Sequence, residues 1–186
     1  GSAASVNPCF NSAYLSYFSQ LQAVGVIPVV ATGNDAHQSL IGSPSCAPGA
    51  VAVGAVMDLP YRIDSTLCSQ IGAVGAVACF SNLNGLIDLM ASGVAINAGG
   101  YFQSGTSMAT PHVAGAVALL DQLYNQGLNT QSLISVLKMW ALPVESNGHI
   151  YSSLNFHLDR LVNFTAGQSS TFAYTRSPER TIDADG

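Results

Sequence analysis

Two short apolar segments constrain the fold most strongly. Residues 26–31 (VIPVVA) and 50–56 (AVAVGAV) are continuous apolar runs in which polar and apolar side chains do not alternate. Such runs are typical of strands covered on both faces, because a strand with one face in water alternates. Residues 86–90 and 94–96 are two further short strand candidates. Pro28 indicates that the first strand lies near a sheet edge or carries a bulge, because proline has no N–H to donate to a neighbouring strand.

Three segments have the apolar spacing of helices, at residues 11–24, 110–124 and 130–141. One stripe of the first carries Tyr14, Leu15, Phe18, Leu21 and Val24. The second is rich in small residues that would allow close packing against a sheet, namely Ala114, Gly115, Ala116 and Ala118. The third begins with Thr130 as the predicted cap and has a stripe of Leu133, Ile134, Leu137 and Trp140. Helices that alternate with doubly covered strands predict a layered α/β fold.

Length and charge exclude several classes of protein. A chain of 186 residues is typical of one domain with a substantial core. Charged residues make up 8% of it, against roughly 25% in an average protein, which excludes a charge-rich disordered chain. A formal net charge of -5 argues against a nucleic-acid partner, because such proteins neutralise several phosphates with Lys and Arg. The longest weakly polar stretch, residues 105–120, is interrupted by polar residues and shorter than the roughly 20 apolar residues that cross a bilayer. No membrane partner is therefore expected.

The four cysteines predict disulfide bonds rather than a metal site. They have no C-x-x-C spacing and no histidine at the intervals of a zinc ligand set. Pairing Cys9 with Cys46 and Cys68 with Cys79 closes the shorter loops and is favoured among the three possible pairings. The alternative is four buried thiols in a reducing compartment. Few lysines and glutamates, with many serines, asparagines and glycines, favour an exported, secreted protein.

One segment carries most of the chemical information, and it reads Gly105-Thr106-Ser107-Met108-Ala109-Thr110-Pro111-His112-Val113-Ala114-Gly115. Ser107 lies between a glycine turn and the predicted helix, where free N–H groups and the positive end of the helix dipole stabilise a developing oxyanion. On its own, a serine in this place is more typical of a helix cap. The whole segment resembles the nucleophile signature of the subtilisin-like serine peptidases (subtilases), which it matches without a departure.

The resemblance extends to Val29-Val30-Ala31-Thr32-Gly33-Asn34, an apolar strand that ends in Gly-Asn. Alone, Gly-Asn after a strand is a turn signal. In the family this asparagine donates its side-chain amide to the tetrahedral intermediate, so the resemblance implies that role for Asn34. Residues 50–56, 80–82 and 90–94 resemble further segments of the family, and they occur after Asn34 in the same order as in the family. The family's Ala-Pro-Gly turn is replaced by Ala91-Ser92-Gly93, a departure that affects only the geometry of that turn.

A serine hydroxyl needs a base to accept its proton, and the family's base is not found in this sequence. His112 follows Ser107 by five positions, about 140° farther round a helix, and is interpreted as a packing residue that points away from the hydroxyl. His37, His149 and His157 lack the His-Gly-Thr context of the subtilase base, and no aspartate stands in an Asp-Ser-Gly or Asp-Thr-Gly triplet. His37, three residues past Asn34, is the one alternative base.

The resemblance implies a serine endopeptidase of subtilisin type that acts on a peptide or protein substrate through Ser107 and Asn34. It also implies a three-layer α/β fold with a mainly parallel sheet. Subtilisin carries its aspartate and histidine before the serine. Residues 1–165 are therefore expected to be the C-terminal portion of a catalytic domain, inactive without an N-terminal portion that supplies both. Residues 166–186 are interpreted as a polar extension.

Calcium is common in the family, but no D-x-[DN]-x-[DN]-G loop occurs here, so no cofactor or metal is predicted. Two other functions fit parts of the sequence. A half-domain that serves only as a binding or assembly module would use Ser107 as a helix cap. An α/β-hydrolase would need Gly-x-Ser-x-Gly, whereas Ala109 occupies the final position here.

Overall fold

The structure is a computed structural model that describes residues 4–10, 13–124 and 129–154. Its elements in chain order are β1 (Ala4–Ser5), α1 (Tyr14–Ala23), β2 (Val29–Ala31), β3 (Ile41–Gly42), β4 (Val51–Val56), β5 (Tyr61–Asp64), β6 (Ser69–Gly72), β7 (Leu89–Ser92), β8 (Ile96–Ala98), β9 (Tyr101–Gln103), α2 (Thr106–Leu123), α3 (Thr130–Trp140), β10 (Leu142–Ser146) and β11 (His149–Leu154). The predicted extension at residues 166–186, its boundary at residue 165 and His157 lie outside the described residues.

A five-stranded, mainly parallel sheet forms the centre of the fold, in the order β10-β11-β7-β4-β2. The strands β11, β7, β4 and β2 pair in parallel, and β10 pairs antiparallel with β11. Every residue of β4 and β7 is buried, as expected of strands covered on both faces. The predicted α/β fold class is therefore confirmed. Pro28 precedes β2, which with β10 is one of the two edge strands of this sheet among the described residues.

Helix α2 packs on β2, β4 and β7, and helix α3 packs on α2 and β11. The buried side chains of α2 are Thr106, Ala109, Val113, Ala116, Val117 and Leu120. Of the small residues predicted to contact the sheet, only Ala116 is buried, because the others face away from it. Helix α3 buries Leu133, Ile134 and Leu137, and α1 buries only Phe18 of its predicted stripe. Among the described helices, none combines the length and apolarity that crossing a bilayer requires.

The structure corrects the predicted start of α2 and the predicted cap of α3. Helix α2 begins at Thr106, four residues before the predicted start, and continues through Pro111. Tertiary hydrogen bonds from Thr106 hold this extra turn, and the Thr110 hydroxyl donates to the Thr106 carbonyl at 2.9 Å. Helix α3 is capped by Asn129 rather than Thr130, because the Asn129 side-chain oxygen accepts the N–H of Ser132.

Two predicted strands are displaced. The candidate at residues 86–90 is β7, which begins at Leu89, because Leu86 belongs to a turn in which its N–H donates to Asn84 Oδ1 at 2.9 Å. The candidate at residues 94–96 corresponds to β8, which begins at Ile96 and pairs with β9 rather than with the central sheet. Two other small sheets, β1-β3 and β5-β6, have no sequence prediction.

Both favoured disulfides are present. Cys9 is bonded to Cys46, with a Cα–Cα distance of 5.3 Å, and Cys68 to Cys79, with a distance of 6.0 Å. The first joins the segment before α1 to the loop before β4. The second closes the loop that contains β6 and ties the β5-β6 hairpin to Phe80.

The side chain of Asp88, the residue before β7, joins β4 to α3. Its Oδ2 accepts the N–H of Ala52 in β4 at 3.0 Å, and its Oδ1 lies 2.9 Å from Lys138 Nζ on α3. We expect Asp88→Ala to lower the free energy of unfolding by about 1–3 kcal/mol, because it leaves the buried Ala52 N–H without an acceptor. Lys138→Met should cost less than about 1 kcal/mol, because this ion pair is partly exposed. Urea denaturation of the intact protein measures both, and equal losses would contradict this assignment.

Candidate active site

Thr106 joins the carboxyl end of β2 to the start of α2. Its buried hydroxyl accepts the N–H of Gly33 at 3.2 Å and donates to Asn34 Oδ1 at 2.9 Å. Its main-chain N–H donates to the same Asn34 oxygen at 2.8 Å. One threonine therefore brings together two segments that lie about 70 residues apart along the chain, as the separation of 72 between Thr106 and Asn34 shows.

These contacts fix the orientation of the Asn34 side chain. A main-chain N–H can only donate, so the Asn34 atom that receives it is the carbonyl oxygen. The amide nitrogen Nδ2 is then turned away from Thr106. A Cβ built on Gly105 would lie 3.3 Å from this nitrogen, which places it beside the residue before the helix. In the part of the chain that the structure describes, Nδ2 donates to no acceptor.

Ser107 lies in the first turn of α2 and is exposed. The helix cap is Gly105, so Ser107 is not the capping residue that the alternative interpretation required. The N–H groups of Met108 and Ala109 donate to the Gly105 carbonyl. Within residues 4–10, 13–124 and 129–154, neither the N–H nor the hydroxyl of Ser107 has a hydrogen-bond partner. The first turn of a helix leaves such N–H groups free to bind an anion.

The loop that carries Asn34 is held by Asn82, which is fully buried. Asn82 Oδ1 accepts the N–H groups of Asp35 and His37 at 2.9 and 3.1 Å. Asn82 Nδ2 donates to the Thr32 carbonyl at 3.2 Å and to Asp35 Oδ2 at 3.0 Å. All four bonding positions of one amide thus serve residues on either side of Asn34. In the sequence, Asn82 was noted only as part of residues 80–82, one of the segments that occur in the same order in the subtilase family. Nothing in the sequence indicated its role in holding the Asn34 loop.

Gly33 is required by the same arrangement. It has a φ of +105°, a conformation that side chains rarely adopt, and a Cβ there would collide with Asn82 Nδ2. On the other side of the site, Gly105 N–H donates to the Gly93 carbonyl at 2.8 Å, after the end of β7. The start of α2 is therefore fixed to the carboxyl ends of both β2 and β7.

The structure brings Ser107 and Asn34 together through Thr106 but pairs no described histidine with the Ser107 hydroxyl. His112 Nδ1 lies 2.8 Å from the Met108 carbonyl one turn back along α2. The main chain of His37 is bonded to Asn82 and Leu83, and the ring of His149 lies 6.4 Å from that of Tyr151. Asn34 Nδ2 and the Ser107 N–H are thus two donors without an acceptor among the described residues, and they belong to the two residues that Thr106 connects.

Comparison with known proteins gives consistent matches. A family model described as the Subtilase family matches residues 3–169. The chain is 38% identical to an extracellular serine proteinase of Thermus sp. (strain Rt41A), over 69% of this chain and 29% of that protein. It is 33% identical to subtilisin NAT of Bacillus subtilis subsp. natto, over 67% of this chain and 31% of that protein.

Among solved structures, the fold is similar to that of sphericase, with a TM-score of 0.60 and 27% sequence identity. That match covers 82% of this chain and 53% of the sphericase chain. The chain thus spans about a third of the length of these two curated relatives, from their 29% and 31% coverage.

Proposed function

Because this chain belongs to the subtilase family, we propose that it contributes the nucleophile and the oxyanion donors of a serine endopeptidase that cleaves peptide or protein substrates. The observation that carries the proposal is the pair of unpaired donors beside Ser107. The Thr106 contacts to Asn34 Oδ1 leave Asn34 Nδ2 without an acceptor among the described residues. The Ser107 N–H is likewise free in that part of the chain.

In the proposed reaction Ser107 Oγ attacks the carbonyl carbon of the scissile peptide bond. The hydroxyl proton passes to a base, and the carbonyl oxygen becomes an oxyanion. Asn34 Nδ2 and the Ser107 N–H donate to that oxyanion, and the α2 dipole adds positive potential at the same point. The base then returns the proton to the leaving amine. In the second half of the reaction the base takes a proton from water, and the water oxygen attacks the acyl carbonyl carbon. The base then returns the proton to Ser107 Oγ as the ester bond breaks and the acid product leaves.

We further propose that the base and its carboxylate lie in polypeptide outside these 186 residues. The nucleophile of this chemistry needs an imidazole within hydrogen-bond reach, and among the described residues no histidine is hydrogen-bonded to the Ser107 hydroxyl. By this proposal the chain alone is inactive. The two disulfides, together with a relative named as extracellular, support secretion as the setting of the reaction.

A fluorophosphonate probe tests the proposed function, because it labels only a serine that a base activates. In the complete protein, we expect stoichiometric labelling of Ser107, located by peptide mass spectrometry. Ser104, which is exposed three residues earlier, is the internal control and should stay unlabelled. The isolated chain should not react at either serine. An unlabelled Ser107 in a complete domain that contains the histidine and aspartate would refute the peptidase and favour a non-catalytic binding module.

A further inference from the structure

An open cavity of about 440 Å³ adjoins the candidate active site on the side of the β5-β6 hairpin. It is lined by Asn34, Phe80 and Ser104, and by residues 61–65 and Leu67 of the hairpin. Successive side chains of a strand point to opposite faces. Contact with five consecutive residues therefore indicates that the cavity runs along the edge of β5 rather than over one face.

The register of the hairpin shows which main-chain groups that edge presents. Ser65 N–H donates to the Cys68 carbonyl at 3.1 Å, so this pair closes the hairpin as a hydrogen-bonded pair. Hydrogen-bonded and non-hydrogen-bonded pairs alternate along an antiparallel ladder. Ile63 is opposite Gln70 and Tyr61 is opposite Gly72, and these pairs are the next hydrogen-bonded ones.

Arg62 and Asp64 occupy the alternate positions, so their N–H and C=O groups point away from β6. Among the described residues, β5 pairs with no strand other than β6. The edge beside the cavity is therefore an unused row of donors and acceptors, of the kind that an extended peptide can complete.

The hairpin is held firmly against the site. The Cys68–Cys79 disulfide ties its turn to the residue before Phe80. Gln70 adds two hydrogen bonds to the same segment, donating to the Val77 carbonyl at 2.9 Å and accepting the Cys79 N–H at 2.8 Å. Two residues after Phe80, Asn82 organises the Asn34 loop. Residues 77–82 thus hold both the β5-β6 hairpin and the loop that carries Asn34.

We propose that the outer edge of β5 binds the extended main chain of the substrate, as an additional strand that pairs with Arg62 and Asp64. The cavity then receives those substrate side chains that point toward Tyr61 and Phe80. This inference rests on the proposed peptidase function and specifies its substrate as an extended segment of polypeptide that continues past the scissile bond along the hairpin.

Two peptide series test this inference in the complete protein. Both contain the same scissile bond; one is lengthened on the acyl side and the other on the leaving-group side. Arg62→Pro removes one outward N–H from the edge, where proline is tolerated. We expect the ratio of kcat/KM for the long to the short substrate to fall about fivefold to tenfold in one series, the value of one hydrogen bond.

The matched control is Ile71→Pro. Ile71 is the cross-strand partner of Arg62, so its outward main-chain groups lie on the far edge of the same hairpin. The ratio of kcat/KM for the long to the short substrate should therefore be the same in Ile71→Pro as in wild type. Equal ratios in wild type, Arg62→Pro and Ile71→Pro for both series would overturn the inference. Such a result with active wild type would leave the proposed function intact, whereas no cleavage of any peptide by wild type would refute that function itself.

A second measurement needs no variant. The substrate is methylated at one backbone amide nitrogen in its added residues, in the series that responds to Arg62→Pro. With the wild-type protein, this N-methylation should abolish the increase in kcat/KM that the added residues bring. Retention of the gain at every N-methylated position would overturn the inference, whether or not the proline variant folds.

Discussion

Replacing Ser107 with alanine in the complete protein is expected to lower kcat for peptide hydrolysis by about 10⁶-fold, the scale of loss known when a subtilisin loses its nucleophile. Without the hydroxyl no acyl-enzyme forms, and hydrolysis has to proceed by direct attack of water. The oxyanion donors remain in this variant, so a residual rate of about 10³–10⁴ over the uncatalysed reaction should persist. Initial rates with a peptide substrate at saturating concentration measure the loss.

The folded state provides the control for this substitution. The Ser107 side chain is exposed and has no hydrogen-bond partner among the described residues, so the denaturation midpoint of Ser107→Ala should match that of wild type. A loss of activity below about tenfold at unchanged stability would mean that another residue is the nucleophile, since removal of any true nucleophile costs several orders of magnitude.

Replacing Asn34 is expected to have the second-largest effect, and Asn34→Asp is the sharpest variant. Aspartate keeps an oxygen that accepts the Thr106 N–H and hydroxyl, so it preserves the join between β2 and α2. It also exchanges the amide donor for a second negative oxygen where the oxyanion forms. We expect kcat to fall by at least about 10²–10³-fold, the range known for loss of this donor in subtilisin, with KM nearly unchanged.

Asn34→Leu is the matched comparison, because it removes the donor and the acceptor together. It should lose about as much activity as Asn34→Asp and, in addition, lower the free energy of unfolding by about 1 kcal/mol or more through the unpaired Thr106 N–H. Normal kcat in Asn34→Asp would show that the amide does not bind the oxyanion. A rise in KM with constant kcat would assign Asn34 to ground-state binding instead.

The strands of the central sheet were predictable where their sequence is an uninterrupted apolar run. The continuous apolar run at residues 50–56 matches β4 to within one residue, because nothing polar interrupts it. The predicted run at residues 86–90 contains Asp88 at its centre, and its first residues form a turn on Asn84, so β7 begins only at Leu89. The sheets β1-β3 and β5-β6 escaped prediction because their strands have two to four residues and little apolar pattern. The longer strands β10 and β11 were also missed, because polar and apolar residues are mixed in both.

The candidate site was predictable by residue type but not by geometry. Ser107 and Asn34 were assigned through motifs, and their proximity followed only from the resemblance. The residues that bring them together act across separations of 72 residues for Thr106 and 45 to 50 for Asn82. No local periodicity encodes such contacts. The early start of α2 was missed for the same reason, because the turn before Pro111 depends on the contact between Thr106 and Asn34.

The double hydrogen bond from Thr106 to Asn34 has a consequence for the temperature dependence of the reaction. The asparagine loses its rotational freedom once, when the protein folds, so this loss of entropy does not recur in each catalytic cycle. The amide can rotate only when both hydrogen bonds to Thr106 break. Because Thr106 is buried against the sheet, the amide should stay aligned on warming until the start of α2 separates from the sheet.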